Sequence, residues 1–325
     1  MYKSSANTLL SGFALAVLGA APLSLYAQGQ GAVRIIEEGQ PPVVIHGTVD
    51  ATFHARNAGP PNRGGSPNLS YHGGTNGIGV ETAPRVYLVF WGSQWNGNDP
   101  SGEAVLLQKF LNGVGGSSWL NSVTQYCQGV ASGTIFCGTQ GTKAGNQPGI
   151  LADFWYDNSS FAPSRPSQSQ LAAEAVNAAN HFALANPNIN NSTTQYIIAT
   201  AHGNNASGFG TQYCAWHSST GNIAYTNLPY ITDAGGSCGA NFNGLGAEAG
   251  ITIVEGHELA ETITDQYPSS GWLDSGGAEN GDKCAWISSG QGASANVAIG
   301  AGTFPVQSLW SNAFNNGAGG CVLSY

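Results

Sequence analysis

The strongest sequence indication of the fold of this chain of 325 residues is the heptapeptide Arg85-Val86-Tyr87-Leu88-Val89-Phe90-Trp91 (RVYLVFW). Six of its seven side chains are apolar or aromatic, so both faces of a strand built from it are apolar. This is typical of a buried central strand. A second run of the same kind, Gln195–Ala201, is followed by His202 and Gly203. Strands that end on polar residues predict an α/β core with a site at the carboxyl edge of its sheet.

Two helices accompany these strands. The Ala-rich segment Gln168–Ala185 is predicted to be a long helix, with Ser167 or Ser169 as its cap and Pro187 beyond its end. Residues 103–111 also have helical spacing. We therefore expect an α/β fold with a mostly buried central sheet.

Six cysteines follow residue 100, and they are Cys127, Cys137, Cys214, Cys238, Cys284 and Cys321. An even number in an exported chain predicts three disulfides, for which the sequence allows 15 pairings. We expect neighbours to pair. The alternative, a cysteine-rich zinc site, would need C-x-x-C spacing, which the chain does not contain.

The N-terminal region divides into two predicted segments. Residues 1–27 resemble a signal peptide, with Lys3, an apolar run over residues 9–25 and a small residue at Ala27. Residues 28–80 are interrupted by Pro-Pro and Gly-Gly pairs, which predicts an irregular arm or a propeptide. The globular α/β region is predicted to cover residues 81–325.

Composition restricts the function. Only 8% of residues are charged and the net charge is −9, which argues against nucleic-acid binding because such surfaces are basic. Beyond the signal segment, no apolar run approaches the length of a membrane span. We expect a secreted or periplasmic protein.

The stretch His257-Glu258-Leu259-Ala260-Glu261 is predicted to lie on a helix spanning about residues 247–264. On that helix His257, Glu261 and Asp265 share nearly one face. This pattern is close to the His-Glu-x-x-His helix of zinc hydrolases, with Glu261 in place of the second histidine. Burying such a stripe among apolar neighbours is costly without a cation.

A second group of carboxylates follows in Glu279-Asn280-Gly281-Asp282-Lys283-Cys284. The Asn280-Gly281 turn would bring Glu279 and Asp282 to one side of a loop held by Cys284. We predict His257, Glu261, Asp265, Glu279 and Asp282 as metal ligands.

Two further residues are assigned catalytic roles. Glu258 is predicted to be the general base, and His217 a transition-state donor or another ligand. His202 is a weaker candidate. The remaining histidines have no ionisable sequence neighbours and are predicted to lie outside the site, and they are His46, His54, His72 and His181.

The ordered motifs resemble those of the EXORDIUM or phosphate-induced proteins of plants and their bacterial relatives. The resemblance rests on residues 70–74 and 86–92, on the Cys214–Cys238 segment with His217, on the zincin-like HExxE helix, and on the Glu279-x-x-Asp282-x-Cys284 loop. It implies export and a joint role for the motif carboxylates, and it carries no settled enzymatic activity.

The predicted function is that of a secreted metal-dependent hydrolase of the zinc metallopeptidase kind, which binds one divalent ion and acts on a peptide or protein. One histidine among several carboxylates leaves calcium or manganese open. The alternative is a non-catalytic EXORDIUM-like protein of the cell surface or wall with a structural ion. A metal-free acid hydrolase using Glu258 with Glu279 is a third alternative.

Overall fold

The computed structural model describes residue 1, residues 33–50 and residues 68–325. The predicted signal peptide lies outside these residues apart from Met1. The helices are α1 (Glu103–Val114), α2 (Gln168–Ala185), α3 (Ala249–Thr264) and the short α4 (Phe314–Gly317). Short 3-10 helices occupy Ser93–Trp95, Leu120–Gln125, Asn191–Thr193, Ile231–Cys238, Phe242–Gly244 and Asp282–Cys284.

Within the described residues, the strands form one large sheet and four two-stranded ribbons. They are β1 (Val33–Arg34), β2 (Val43–His46), β3 (Ser70–Tyr71), β4 (Arg85–Trp91), β5 (Cys127–Gln128), β6 (Thr142–Lys143), β7 (Leu151–Asp157), β8 (Thr194–Thr200), β9 (Ala215–Thr220), β10 (Ile223–Leu228), β11 (Trp272–Leu273), β12 (Ala295–Ile299), β13 (Gly302–Val306), β14 (Leu309–Ser311) and β15 (Gly320–Val322). The predicted strands and helices therefore occur within a few residues of their expected positions.

The central sheet has seven strands in the order β1-β2-β9-β10-β8-β4-β7. Strands β7, β4, β8 and β10 are parallel, and β9, β2 and β1 extend this sheet by antiparallel pairing. The chain is thus of mixed α/β content with a central multi-strand sheet, as the sequence predicts. Part of the segment expected to be an irregular arm forms the strands β1 and β2.

Helices cover both faces of this sheet. Alternate side chains of β4 and β8 enter two separate apolar clusters, one packed against α2 and the other against α1 and α3. Helix α2 begins at the predicted cap, because the Ser167 hydroxyl accepts from the Gln170 amide and the Gln170 side chain accepts from the Ser167 amide. Helix α3 packs against β2, β9 and β10 and so faces the antiparallel side of the sheet.

Three disulfides join Cys127 to Cys137, Cys214 to Cys238, and Cys284 to Cys321. The predicted neighbour pairing is confirmed. The second bridge joins the start of β9 to the segment before α3, and the third fixes the loop after Glu279. Both bridges therefore restrain segments that carry predicted site residues.

No helix in the described part of the chain combines the length and the hydrophobicity that a membrane crossing requires.

Candidate metal centre

Helix α3 is buried along its whole length, although it carries four ionisable side chains. All 16 residues are buried, from Ala249 to Thr264. A helix with apolar residues on every side lies in a protein interior, where a polar group costs free energy unless it finds a partner. The side chains of His257, Glu258 and Glu261 are 0% exposed, so their partners determine what this helix does.

The His257 imidazole is held in one orientation. Its Nδ1 lies 3.2 Å from Gln307 Oε1, while Gln307 Nε2 donates to the carbonyl oxygens of Gly281 at 2.8 Å and Ser308 at 3.2 Å. Because the Gln307 amide nitrogen faces two acceptors, its oxygen is the atom that faces His257. Nδ1 therefore carries the proton, and Nε2 presents a lone pair.

That lone pair points at carboxylates. His257 Nε2 is 3.0 Å from Glu261 Oε1 and 3.7 Å from Asp282 Oδ1, and it makes no hydrogen bond. In the neutral imidazole this lone pair is repelled by the carboxylate oxygens, and either a proton on Nε2 or a metal cation between the atoms relieves the repulsion. These three side chains form one group whose ligand atoms lie within 4.8 Å of one another.

His217 enters the same region from the sheet. It lies on β9, in register with Thr226 of β10 and Val44 of β2. Its Nε2 is 2.9 Å from Glu279 Oε2 and 3.7 Å from Glu261 Oε2. His217, Glu261 and Glu279 form a second group with ligand atoms within 4.8 Å of one another.

The loop after α3 is fitted closely to the helix. The Glu279 amide donates to Asp282 Oδ2 at 2.9 Å, and the Asp282 amide donates to Glu261 Oε1 at 2.8 Å. A Cβ at Gly281 would lie 2.7 Å from His257 Nδ1 and 2.9 Å from Glu261 Oε1. Glycine is therefore required here by close approach of the backbone to the site, since its φ of −75° is open to any residue.

The structure brings together five of the predicted residues, and they are His217, His257, Glu261, Glu279 and Asp282. We call them the metal cluster. All are 0% exposed except Asp282, which is 4% exposed. In the described ranges 33–50 and 68–325, no lysine or arginine pairs with these carboxylates, and Lys283 instead pairs with Asp274 at 2.8 Å.

Asp265 lies just beyond α3 and outside these groups. Its carboxylate accepts from the amides of Ser269 at 2.7 Å, Ser270 at 2.9 Å and Gly271. It organises the turn that leads into β11, and these backbone donors satisfy its oxygens.

Glu258 stands beside the metal cluster with both carboxylate oxygens buried and unpaired. Burial, with the charges of Glu261 and Glu255 adding to it, raises the pKa of Glu258 well above its ordinary value. Glu258 forms a third group with His46 and His257. A carboxyl group in this position can hold and release a proton next to the cluster.

His46 belongs to the site, and the prediction that placed it outside is wrong. Its ring stacks on His257 at 3.8 Å between centroids with 3° between planes, and on Trp286 at 5.0 Å. Both of its ring nitrogens are buried and unpaired. Burial and the neighbouring His257 lower the pKa of His46 well below its ordinary value, which favours the neutral imidazole.

The other histidines lie elsewhere. His72 is exposed and His181 stacks on Trp155 at 3.8 Å between centroids. His54 lies outside the described residues. His202 lies just past the carboxyl end of β8 and pairs through Nδ1 with Asp233, so it does not join the metal cluster.

Burial and mutual repulsion control protonation in the cluster. Burial first, and the Glu261 charge second, raise the pKa of Glu279 and of Asp282 well above the ordinary values. Burial also acts to raise the pKa of Glu261, but the adjacent His257 and His217 hold it below its ordinary value. Burial lowers the pKa of His217. The cluster therefore resists holding several negative charges without added positive charge.

The donor set fits a divalent cation. Unpaired buried atoms converge there from several side chains, and they are His257 Nε2, Glu261 Oε2, Glu279 Oε1 and Asp282 Oδ1. Imidazole combined with carboxylate suits zinc or manganese, whereas calcium takes oxygen ligands. The two imidazoles thus favour zinc or manganese over calcium.

The site is closed to solvent in this conformation. His46 stacks on His257 and Trp286 stacks on His46, and the Trp286 indole donates to the Gly47 carbonyl oxygen at 2.8 Å, which ties this stack to the end of β2. A catalytic ion keeps a position open for water or substrate. Because Glu258 is 0% exposed, access of a substrate to it requires a conformational change that opens the site.

Sequence reasoning missed His46 and Gln307. Neither belongs to a motif, and each lies at least 50 positions from its contact on α3. The buried, aliphatic Val43-Val44-Ile45 run before His46 is a strand signal that could have placed it in the sheet.

Comparisons with models of known protein families, with curated proteins and with solved structures found no match to this chain. The function is therefore argued from the site alone.

Proposed function

We propose that the protein is a secreted metal-dependent hydrolase of the metallopeptidase kind. Its ligands are drawn from the metal cluster and its general base is Glu258. A bound divalent ion supplies a Lewis acid that lowers the pKa of water and polarises a carbonyl group. The three disulfides fit the oxidising compartment that export implies.

The observation that carries this proposal is the unpaired carboxyl group of Glu258. It is fully buried, it neighbours the ligand His257 in sequence, and neither oxygen has a hydrogen-bond partner. Glu255 shares this burial and lack of partners, so the feature that distinguishes Glu258 is its place within 4.8 Å of nitrogens of His46 and His257. A general base lies next to the ion without being bound by it, and Glu258 would have this position beside an ion held by the metal cluster.

The chain's residues divide the work as follows. His257 presents Nε2 to the ion, because Gln307 fixes the proton on Nδ1. A bound ion would lower the raised pKa of Glu258 again, and the ionised carboxylate would then take a proton from the attacking water and pass it to the leaving nitrogen. His46 lies beside Glu258 with two unpaired nitrogens, and the N–H of its neutral imidazole is suited to donate to a developing oxyanion.

A second candidate function is favoured by the complete burial of the site. A closed set of ligands is typical of a structural ion, and a non-catalytic, EXORDIUM-like protein of the cell surface or wall would need nothing more. In that case Glu258 has no role in turnover, and the ligand carboxylates matter for stability.

The variants Glu258→Gln and Glu255→Gln separate the two candidates. Glu255 lies one turn earlier on α3 and is also fully buried with both oxygens unpaired, so it is a matched control outside the three ligand groups. Turnover would be measured on a fluorogenic peptide library, together with metal content and Tm.

For a hydrolase, Glu258→Gln should lower kcat about 100-fold or more, while Glu255→Gln retains activity and both variants retain metal. The structural candidate is supported instead if the wild type shows no turnover and Glu279→Gln lowers Tm with Glu258→Gln near the wild type. Equal activity of Glu258→Gln and the wild type contradicts the assignment of the general base.

A further inference from the structure

Glu261 faces two separate groups of ligands with its two oxygens. Oε1 lies 3.0 Å from His257 Nε2, and Oε2 lies 3.7 Å from His217 Nε2. Asp282 completes the first group and Glu279 completes the second. Each group thus consists of one imidazole nitrogen, one carboxylate of its own and one oxygen of Glu261.

The spacing within each group is that of ligands around an ion. Metal–ligand bonds of ~2.0–2.1 Å in tetrahedral geometry place ligand atoms about 3.3 Å apart. The contacts of His257 Nε2 at 3.0 and 3.7 Å, and those of His217 Nε2 at 2.9 and 3.7 Å, bracket this value. In both groups the distances between ligand atoms therefore suit an ion, and each group has an imidazole of its own.

Both groups contain unpaired atoms. His257 Nε2 and Asp282 Oδ1 are unpaired in the first group, and Glu261 Oε2 and Glu279 Oε1 are unpaired in the second. In the second group His217 Nε2 lies at hydrogen-bond distance, 2.9 Å, from Glu279 Oε2, and an ion between these two atoms would replace the proton they share. All of these atoms belong to side chains at least nine-tenths buried. One ion placed on the His257 side would leave Glu279 and the second oxygen of Glu261 without a cation.

Charge balance also favours two ions. Three carboxylates belong to the two groups, and they are Glu261, Glu279 and Asp282. When all three are ionised, one divalent ion leaves a net negative charge in the interior, and a second ion removes it.

The geometry points to a two-ion centre in which Glu261 bridges both metals. One ion is bound by His257, Asp282 and Glu261 Oε1, and the other by His217, Glu279 and Glu261 Oε2. The inference rests on the metal site of the proposed function and adds a second ion to it. Carboxylate-bridged ions lie about 3.5–4 Å apart and together stabilise the attacking and leaving groups in hydrolysis.

The two ion positions differ in the hydrogen bond that orients their histidine ligand. Gln307 accepts from the Nδ1 proton of His257, whereas His217 Nδ1 is buried without a partner. Loss of such an outer partner weakens metal affinity by roughly 10- to 100-fold. We therefore expect the His257 position to fill first and the His217 position second.

The test is a titration of chelator-stripped protein with Zn²⁺, followed by native mass spectrometry. The wild type should bind two ions in sequence, and His217→Ala and Glu279→Gln should each bind one. Glu261→Ala should lose the bridge and lower both affinities at least 10-fold. His202→Ala, whose side chain lies outside the metal cluster, should bind two and serves as the matched histidine control.

A readout on the wild type does not depend on variants that fold poorly. With Mn²⁺ as the probe, two ions bridged by Glu261 should give an exchange-coupled electron paramagnetic resonance spectrum at two equivalents, in place of the signal of isolated Mn²⁺. A wild type that saturates at one ion overturns this inference and leaves the proposed function standing. A wild type that binds no ion overturns both.

Discussion

Two histidine–carboxylate arrangements in this protein differ in how deeply they are buried and in how fully their atoms are paired. The metal cluster is buried, with several unpaired atoms. The pair of His202 and Asp233, which we call the edge pair, has side chains that are 46% and 12% exposed. Asp233 also accepts from the Gly203 amide at 2.8 Å and from Asn205 at 2.7 Å. Complete pairing at the surface leaves no need for a ligand, whereas burial with unpaired atoms creates one.

The two regions also lie at different places on the central sheet. Parallel α/β sheets place ligands at the carboxyl ends of their strands, and that rule points to His202 after β8. The metal cluster lies instead where α3 packs against the antiparallel strands β2 and β9. The added antiparallel strands provide the enclosed interior that the ionisable side chains of α3 require.

Metal removal should show the largest difference between the two regions. Stripping the wild type with a chelator leaves the carboxylates of the metal cluster uncompensated, so we expect Tm to fall by about 10 °C or more, since an ion bound at 1,000 times its Kd contributes ~4 kcal/mol. The measurement is calorimetry with and without chelator, and re-addition of Zn²⁺ should restore Tm. The variant Asp233→Asn should show the same fall, and an unchanged wild-type Tm would contradict a metal site.

Removal of one histidine from each region should show the next largest difference. His217→Ala leaves Glu279 without its partner in the interior, so the free energy of unfolding should fall by roughly 3–5 kcal/mol. His202→Ala removes a partly exposed pair and should cost about 0–1 kcal/mol. Urea unfolding of both variants measures this, and equal losses would show that burial does not distinguish the regions.

Glu81, a buried carboxyl group outside both regions, shows how the stability of the protein depends on pH when only one of two carboxylate oxygens has a hydrogen-bond partner. Glu81 is 0% exposed, Gln195 donates to its Oε2 at 3.0 Å, and its Oε1 is unpaired. Burial raises the pKa of Glu81 from 4.5 to about 8, with the Gln195 hydrogen bond acting in the opposite direction. The folded protein therefore holds this proton to a higher pH than the unfolded chain does.

Because the pKa of Glu81 is raised on folding, its contribution to the free energy of unfolding is complete below pH ~4.5 and is lost as pH rises towards 8. The variant Glu81→Gln cannot ionise at this position, so its free energy of unfolding should not show this pH-dependent loss. The stability of the variant relative to the wild type should grow by about 1 kcal/mol between pH 6 and pH 7. Urea unfolding at both pH values measures it, and a difference that is constant with pH would show that Glu81 ionises normally.

Much of the fold was predictable because its signals are local. The apolar run of β4, the Ser167 cap of α2 and the neighbour pairing of the cysteines depend on residues close in sequence. The motif on α3 also predicted His257 and Glu261 as neighbours, since helical periodicity places i and i+4 on one face. The turn at Asn280-Gly281 correctly predicted that Glu279 and Asp282 lie together.

The α/β elements, the disulfides and all five residues of the metal cluster could be predicted from the chain, because periodicity, caps and turns act over a few residues. The stacking of His46 on His257, the orientation of that ring by Gln307 and the closure of the site follow only from the folded molecule. These contacts join segments 50 to more than 200 positions apart. They depend on how β2 pairs with β9 and how α3 packs beneath them, which no local pattern encodes.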